Sequence, residues 1–342
     1  MKLNNKGFAF STLLYGLLAV IIVIMAVLLA MYRQSNNESY YYSSVLEESL
    51  NKCVEQELAL ENCYRGAAHD SDCSVEAYYS CLGYDDMLTK AKKVDFANTL
   101  ATHLATSGAG LYEVSDHNLK YVYKGNDPHN YVKFSGMLWR IVGITANGET
   151  KIVLPGIIND DMAWDSNGDS EWSNSTLSNY LNNDFYDSLT STHLIYKYDW
   201  GVGRIDSTEV GSLKKKEYKD IMFNATFSSK IGLLSPADIA YATLSNCSET
   251  EVIYNSSRCQ GDWLKGRETW LMNSAKTEQN KAYLYNSGNL IVAENIVDKD
   301  ASGNITNVHK HKIVPALYLS SDTQMLQDLG DGTSGSPYIL EG

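Results

Sequence analysis

The feature that most constrains this chain is an apolar stretch near its start, because residues Gly7 to Tyr32 carry no charged side chain. At about 1.5 Å of rise per residue, a helix of this length spans roughly 39 Å, whereas the hydrocarbon core of a bilayer is roughly 30 Å thick. The stretch therefore predicts a long transmembrane helix over residues 8–33. Since Lys2 and Lys6 precede it, the positive-inside rule predicts a single-pass cell-membrane protein with a cytoplasmic N-terminus and an extracellular bulk.

Residues 1–7 are short and basic, and they end in Lys6-Gly7 directly before Phe8. They resemble the leader of type IV prepilins, which prepilin peptidase cleaves before a Phe that begins a long apolar helix. The resemblance implies cleavage between Gly7 and Phe8, pilin-like subunits as partners, and a place in a surface pilus. Pilins usually carry Glu where this chain has Thr12, which leaves polymerisation open. A secretory signal peptide and an ordinary signal anchor are the alternatives.

Six cysteines are divided four and two along the chain. The first four lie in residues 34–110, where the pattern predicts a helical neck of two helices joined by a loop. Folding these helices against each other favours nested pairing, although four cysteines allow three connectivities and a zinc site is an alternative. The last two cysteines indicate a local loop disulfide. The predicted disulfides are Cys53–Cys81, Cys63–Cys73 and Cys247–Cys259.

From Leu111 onward, short β-type runs alternate with turn residues. Asn147-Gly148 lies between two apolar runs, which predicts a hairpin, and Ser235-Pro236 predicts the start of a short helix. Residues 111–342 therefore indicate an antiparallel-sheet domain. The predicted fold class is α+β, with a long N-terminal transmembrane helix, a disulfide-stapled helical hairpin and a C-terminal antiparallel-sheet domain.

Four motifs follow one another through this last domain. They are Trp139-Arg140-Ile141-Val142-Gly143, Tyr180-Leu181-Asn182-Asn183-Asp184-Phe185-Tyr186, Trp270-Leu271 and Pro315-Ala316-Leu317-Tyr318-Leu319. In this order they resemble a bacterial surface-domain family of unknown function, over roughly residues 127–342. The resemblance implies a C-type-lectin-like sheet pattern, and such folds bind ligands more often than they catalyse reactions.

One acidic loop follows the start of an EF-hand-type calcium loop. Asp298, Asp300 and Ser302 supply oxygen donors at its first, third and fifth positions, and Gly303 occupies the sixth. The twelfth position is His309 rather than the bidentate Glu that closes such a site. Calcium is therefore the metal that this loop could bind, and no other cofactor is predicted. The alternative is a hairpin tip, since Asp, Ser and Gly are common turn residues.

A second loop combines oxygen donors with aromatic rings. Indole rings can stack on sugar faces beside carboxylates and amides, so this loop is the predicted ligand-binding group. Its members are Trp164, Asp165, Asn167, Asp169 and Trp172. Ordinary packing of the two rings is the alternative, and calcium binding by the same loop is another.

Several function classes receive no support from the sequence. It contains no G-x-S-x-G, H-E-x-x-H or P-loop motif, so we predict that the protein is not an enzyme. The formal charge of −13 argues against nucleic acid as a partner. We predict a membrane-anchored extracellular binding or adhesion protein, pilin-like or minor-pilin-like, whose lectin-like head binds a glycan or a surface protein. The alternatives are a non-polymerising surface receptor or structural protein and a wall- or glycan-active enzyme.

Overall fold

The computed structural model describes residues 92–341 except 116, 156–160, 207–213, 245–246, 254–255, 277 and 328. These residues fall within one compact unit. The predicted leader (1–7), the predicted transmembrane helix (8–33) and the neck as far as residue 91 lie outside the described residues. The first four cysteines, at positions 53, 63, 73 and 81, lie outside them as well.

Strands dominate the described residues, and they are two to nine residues long. The strands are β1 (Lys93–Asp95), β2 (Gly110–Glu113), β3 (Leu119–Lys124), β4 (Tyr131–Phe134), β5 (Met137–Thr145), β6 (Thr150–Val153), β7 (Met162–Ala163), β8 (Ile195–Tyr196), β9 (Tyr198–Gly201), β10 (Thr226–Ser229), β11 (Ile231–Leu233), β12 (Thr269–Ser274), β13 (Lys281–Tyr285), β14 (Ile291–Asn295), β15 (Val297–Lys299), β16 (Ile305–Val308), β17 (Lys310–His311), β18 (Pro315–Leu319), β19 (Gln324–Leu326) and β20 (Tyr338–Ile339).

Helices are few and short in the same residues. The α-helices are α1 (Phe96–Ala101), α2 (Thr176–Tyr180), α3 (Tyr218–Met222) and α4 (Pro236–Tyr241). A π-helical turn at Leu181–Phe185 continues α2, and 3-10 turns occur at Trp172–Asn174, Thr192–Leu194 and Lys215–Glu217.

The largest sheet is built on β5, which pairs in antiparallel fashion with β3, β4 and β6. All its residues from Trp139 to Thr145 are buried, as expected of a strand that is covered on both faces. The β5–β6 turn contains Asn147 and Gly148, and Gly148 has a φ of 97°. This positive φ favours glycine, so the predicted hairpin is confirmed together with its physical reason.

β18 lies inside this sheet although it comes from near the end of the chain. One edge of β18 pairs with β6, and the other pairs with β11 and β8. The strand order is thus β11-β18-β6-β5-β3-β2, with β4 and β20 attached beside β5 and β8 attached beside β18. A separate three-stranded sheet, β12-β13-β14, belongs to the same hydrophobic core.

The start of α4 is fixed by a capping box. Ser235 Oγ accepts the N–H of Asp238 at 3.2 Å, and the Asp238 carboxylate accepts the N–H of Ser235 at 2.7 Å. Pro236 occupies the first helical turn, where its missing N–H costs nothing. The predicted helix start at Ser235-Pro236 is confirmed.

The predicted fold class requires correction. The described residues form a mostly-sheet fold whose α-helices are five or six residues long, and none of their helices is long and apolar enough to cross a membrane. Within the described end of the predicted helical neck, only Phe96–Ala101 is α-helical. Asp95 caps that helix by accepting the N–H of Asn98, and a run of turns leads from it into β2.

Candidate functional site

The predicted calcium loop is the tip of the β15–β16 hairpin. Asp300 Oδ1 accepts the backbone N–H groups of Ser302 at 2.9 Å and Asn304 at 2.8 Å. Asp298 Oδ2 lies 2.9 Å from His309 Nε2. Both carboxylates thus already have hydrogen-bond partners, in the turn and in the imidazole. The described residues contain no group of three or more His, Cys, Asp or Glu side chains suited to a metal ion. Calcium binding here stays a prediction.

Asp165 organises the second predicted loop from inside. Its side chain is buried, and Oδ1 accepts the N–H groups of Asn167 at 2.7 Å and Asp169 at 3.0 Å. Oδ2 accepts the N–H of Thr176 at 3.0 Å. Burial alone would raise the pKa of this carboxyl, but these donors outweigh burial and hold the pKa below its ordinary value. Asp165 therefore serves the fold of the loop.

Trp164 and Trp172, on either side of that loop, are 0% and 2% exposed. Their ring centroids are 5.2 Å apart in an edge-on arrangement. Neither indole offers an open face to a sugar, which corrects the prediction that these rings form a stacking surface. The loop can turn both rings inward because Asp165 satisfies its backbone donors.

One predicted disulfide lies in the described residues, and it is confirmed. Cys247 and Cys259 are bonded, with their Cα atoms 4.7 Å apart. The bond closes a short loop that follows α4.

The strongest candidate site is a half-open recess between the main sheet and the start of α4. It has room for about one water molecule. Polar and aromatic side chains form much of its wall: Asn118, Lys151, Tyr198, Trp200, Ser235 and Tyr318. We refer to it below as the aromatic recess.

Three cross-strand neighbours lead from the wall of the recess, which includes Lys151 and Tyr318, out to Tyr196 at the surface. Lys151 of β6 pairs with Tyr318 of β18, and Tyr318 pairs in turn with Tyr196 of β8. Residues directly opposite each other project to the same face of a sheet. Exposure rises sharply along the row, since Lys151 is 3%, Tyr318 1% and Tyr196 43% exposed. Tyr196 is therefore the solvent-facing end of the row.

The alternation Tyr196-x-Tyr198-x-Trp200 supplies the aromatic wall, because a period of two places side chains on one face of a strand. Tyr198 stacks on Tyr318 with centroids 3.7 Å apart and an interplanar angle of 17°. Tyr196 lies 6.4 Å from Tyr198, and Trp200 lies 5.0 Å from Tyr318. The rings form a continuous cluster from solvent into the core.

Gly232 of β11 makes room for this cluster. A Cβ atom at position 232 would lie 2.7 Å from the Trp200 ring. Trp200 is held from another direction as well, since its Nε1 donates to the backbone oxygen of Ser229 at 3.0 Å. The indole cannot move away without losing that hydrogen bond.

Gly232→Ala is therefore expected to lower the free energy of unfolding by about 1–3 kcal/mol, the usual cost of overpacking. Urea unfolding followed by tryptophan fluorescence measures it. Gly335→Ala is the matched control, because no atom lies within 4 Å of the position of its Cβ. Equal stability of the two variants would contradict the role given to Gly232.

A buried ion pair closes the inner end of the recess. Lys151 Nζ donates to Asp238 Oδ2 at 2.6 Å, and the side chains are 4% and 0% exposed. Ser235 Oγ donates to the same Oδ2 at 2.7 Å. Burial opposes ionisation of Asp238, but the charge of Lys151 outweighs it and holds the pKa of Asp238 below its ordinary value. The pair is thus ionic and sealed from solvent.

His117 lies beside this pair. Burial lowers the pKa of its imidazole to about 3, against the opposing effect of the Asp238 charge. The ring lies 4.6 Å from the Tyr241 ring, and Nδ1 accepts the N–H of Leu119 at 3.0 Å. The imidazole is therefore neutral at physiological pH, and its proton resides on Nε2.

Neutral polar groups line the recess as well. Burial holds the pKa of Tyr318 well above its ordinary value, so its hydroxyl stays protonated, and Asn118 Nδ2 donates to that oxygen at 3.0 Å. The Ser235 hydroxyl already donates a hydrogen bond to the Asp238 carboxylate. The arrangement suits the binding of a small polar group, such as a hydroxyl, beside aromatic rings.

Sequence reasoning did not single out the recess. The sequence nevertheless contains two local patterns that contribute to it. One is the Tyr-x-Tyr-x-Trp alternation that runs from β8 into β9, and the other is the Ser235-x-x-Asp238 capping box. Lys151 and Asp238 are 87 positions apart. No local pattern predicts that they meet.

Comparison with known proteins gives a family match. Residues 147–321, slightly more than half of the 342-residue chain, match a family described as "Domain of unknown function (DUF6273)". The matched range includes Lys151, Asp238 and the aromatic row that ends at Tyr196. No curated protein and no solved structure matches the chain.

Proposed function

Because this chain belongs to the DUF6273 family, whose description assigns no activity, we propose its function from the aromatic recess: the protein is an extracellular binding module that takes a glycan. The observation that carries this proposal is the row from Lys151 to Tyr196, in which an exposed tyrosine stands beside a small polar recess. Exposed large apolar side chains are rare among the described residues, which makes the placement of Tyr196 informative.

The chemistry of the recess fits a sugar. A sugar has an apolar face that can stack on a phenol ring and hydroxyl groups that need hydrogen-bond partners. Tyr196 provides the open ring, and the recess has room for about one hydroxyl-sized group. Asn118 and the tyrosine hydroxyls supply donors and acceptors there. A surface protein that inserts one polar side chain is the second candidate ligand.

An extracellular location is supported by two features. The Cys247–Cys259 disulfide is typical of exported proteins. The resemblance of residues 1–7 to a prepilin leader supports processing by prepilin peptidase between Gly7 and Phe8, followed by display at the cell surface. Under this proposal the protein acts in adhesion or surface recognition rather than catalysis.

Tyr196→Ala is expected to weaken glycan binding about two- to tenfold, since an aromatic contact contributes about 0.5–1.5 kcal/mol. The measurement is binding of the full chain to an array of peptidoglycan fragments and host-type oligosaccharides. Ile305→Ala is the matched control, because Ile305 is similarly exposed at 41% but lies on β16.

Three results would count against this function. They are the absence of any glycan ligand for the wild-type chain, equal binding by the Tyr196 variant, and equal loss in the Ile305 variant. Release of reducing sugar from a bound glycan would favour the enzyme alternative.

A further inference from the structure

Lys151 and Asp238 form an unusual contact for an ionic pair. Each side chain is less than 5% exposed, and the amine and the carboxylate are 2.6 Å apart. The other Lys–Asp contact, Lys265 Nζ to Asp262 Oδ1 at 3.1 Å, has exposures of 43% and 14%. Among the described residues, Lys151–Asp238 is the Lys–carboxylate pair in which both side chains are buried.

We propose that Lys151 and Asp238 condense into an intramolecular amide that covalently joins β6 to α4. This is a modification site, separate from glycan binding at Tyr196. The ionic contact is the precursor of the bond. The cross-link would connect positions 87 residues apart in the sequence.

The geometry brings the two reacting atoms close together. Nζ lies 2.6 Å from Oδ2, and a C–O bond is about 1.2 Å long, so Nζ is within about 3.8 Å of Cγ. A small approach of Nζ from this limit reaches the separation of about 3–3.5 Å that a near-attack contact requires. The rings of Trp200 and Tyr318 have their centroids 5.2 and 5.7 Å from Nζ. Such surroundings have a low effective dielectric. A low dielectric reduces the free-energy difference between the ionic pair and the neutral pair of amine and carboxylic acid.

The step is balanced without any co-reactant. A proton passes from Nζ to the carboxylate, the neutral Nζ attacks Cγ, and a C–N bond forms. The C–Oδ1 bond then breaks, and Oδ1 leaves as water with the two protons that the ammonium group has lost. The products are one secondary amide and one water molecule. No group is oxidised or reduced.

The two carboxylate oxygens have environments that match these roles. Oδ2 accepts the N–H and the Oγ–H of Ser235, both at 2.7 Å, so these donors would stabilise the negative charge that develops on Oδ2 in the tetrahedral intermediate. Oδ1 is buried, and no group in the described residues donates a hydrogen bond to it. Oδ1 is therefore the oxygen that is free to leave.

His117 is a neutral neighbour of the pair. Its Nε2 carries the proton, because Nδ1 accepts the N–H of Leu119, and Nε2 has no partner in the described part of the chain. The imidazole therefore takes no part in the step, and both protons that Nζ loses pass to Oδ1 within the reacting pair itself.

Mass spectrometry of the folded full chain tests the amide directly. Digestion of reduced protein should yield one branched product in which the Lys151 and Asp238 peptides are joined, one water lighter than their sum. Lys151 should resist an amine-labelling reagent after denaturation. Lys265, beside Asp262, is the internal control and should be labelled completely.

One variant sharpens the test. Asp238→Ala should abolish the branched product and leave Lys151 open to the amine-labelling reagent after denaturation. Complete labelling of Lys151 and separate peptides from folded wild-type protein would overturn the proposal.

Discussion

Alanine in place of Asp238 is expected to lower the free energy of unfolding by about 3–5 kcal/mol, the cost of leaving one member of a buried ion pair alone. Lys151 would lose its carboxylate partner in a site where its side chain is 4% exposed. The variant also loses the capping box of α4, because the Asp238 carboxylate accepts the N–H of Ser235. The proposed amide would add to the loss, since alanine cannot form it.

Urea unfolding at neutral pH measures this change. Glu113→Ala is the matched control, because Glu113 contacts Lys120 at 3.9 Å in a solvent-exposed pair, and such pairs contribute about 0–1 kcal/mol. Lys151→Met combined with Asp238→Asn should recover much of the stability, since the double variant buries no uncompensated charge. A loss below about 1 kcal/mol for Asp238→Ala would contradict the importance of the pair.

Acid is expected to destabilise the protein through His117. The folded-state pKa of His117 is about 3, whereas an unfolded histidine has a pKa of about 6.5. Between these values the unfolded chain binds a proton that the folded chain does not. Stability is therefore fully present above about pH 6.5 and falls as the pH drops toward 3, by at most about 1.4 kcal/mol per pH unit from this group.

His117→Gln should flatten that dependence, because glutamine does not titrate. The measurement is the free energy of unfolding in urea at several pH values from neutrality to about pH 4. His103→Gln provides the control, since His103 is exposed. Where the Lys151–Asp238 amide has not formed, the Asp238 carboxyl titrates in a more acidic window, below its unfolded pKa of about 3.9, which separates the two effects. An unchanged slope in the His117 variant would refute the assignment.

Local chemistry explains which elements the sequence predicts correctly. The turn at Asn147-Gly148 depends on a positive φ that glycine adopts readily, and the start of α4 depends on Ser235 and Pro236. The Cys247–Cys259 bond joins residues only 12 positions apart. Each of these features is determined within a few neighbouring residues, so a sequence pattern is sufficient to identify it.

Burial and distant pairing explain the rest. Trp164 and Trp172 flank a polar loop, which is typical of an exposed site, yet Asp165 binds the loop amides internally and both rings enter the core. The aromatic recess needs β8 and β6 on opposite edges of β18. That arrangement follows from the order of strands in the sheet, which the local pattern of Tyr196 or Lys151 does not contain.

The position of β18 has a consequence for biogenesis. β6 and β11 flank it on opposite sides, and β18 is made long after both. A nascent chain therefore holds β11 without its sheet partner until Pro315–Leu319 emerges and joins it to β6. Such long-range pairing slows folding, so the main sheet stays incomplete until late in synthesis.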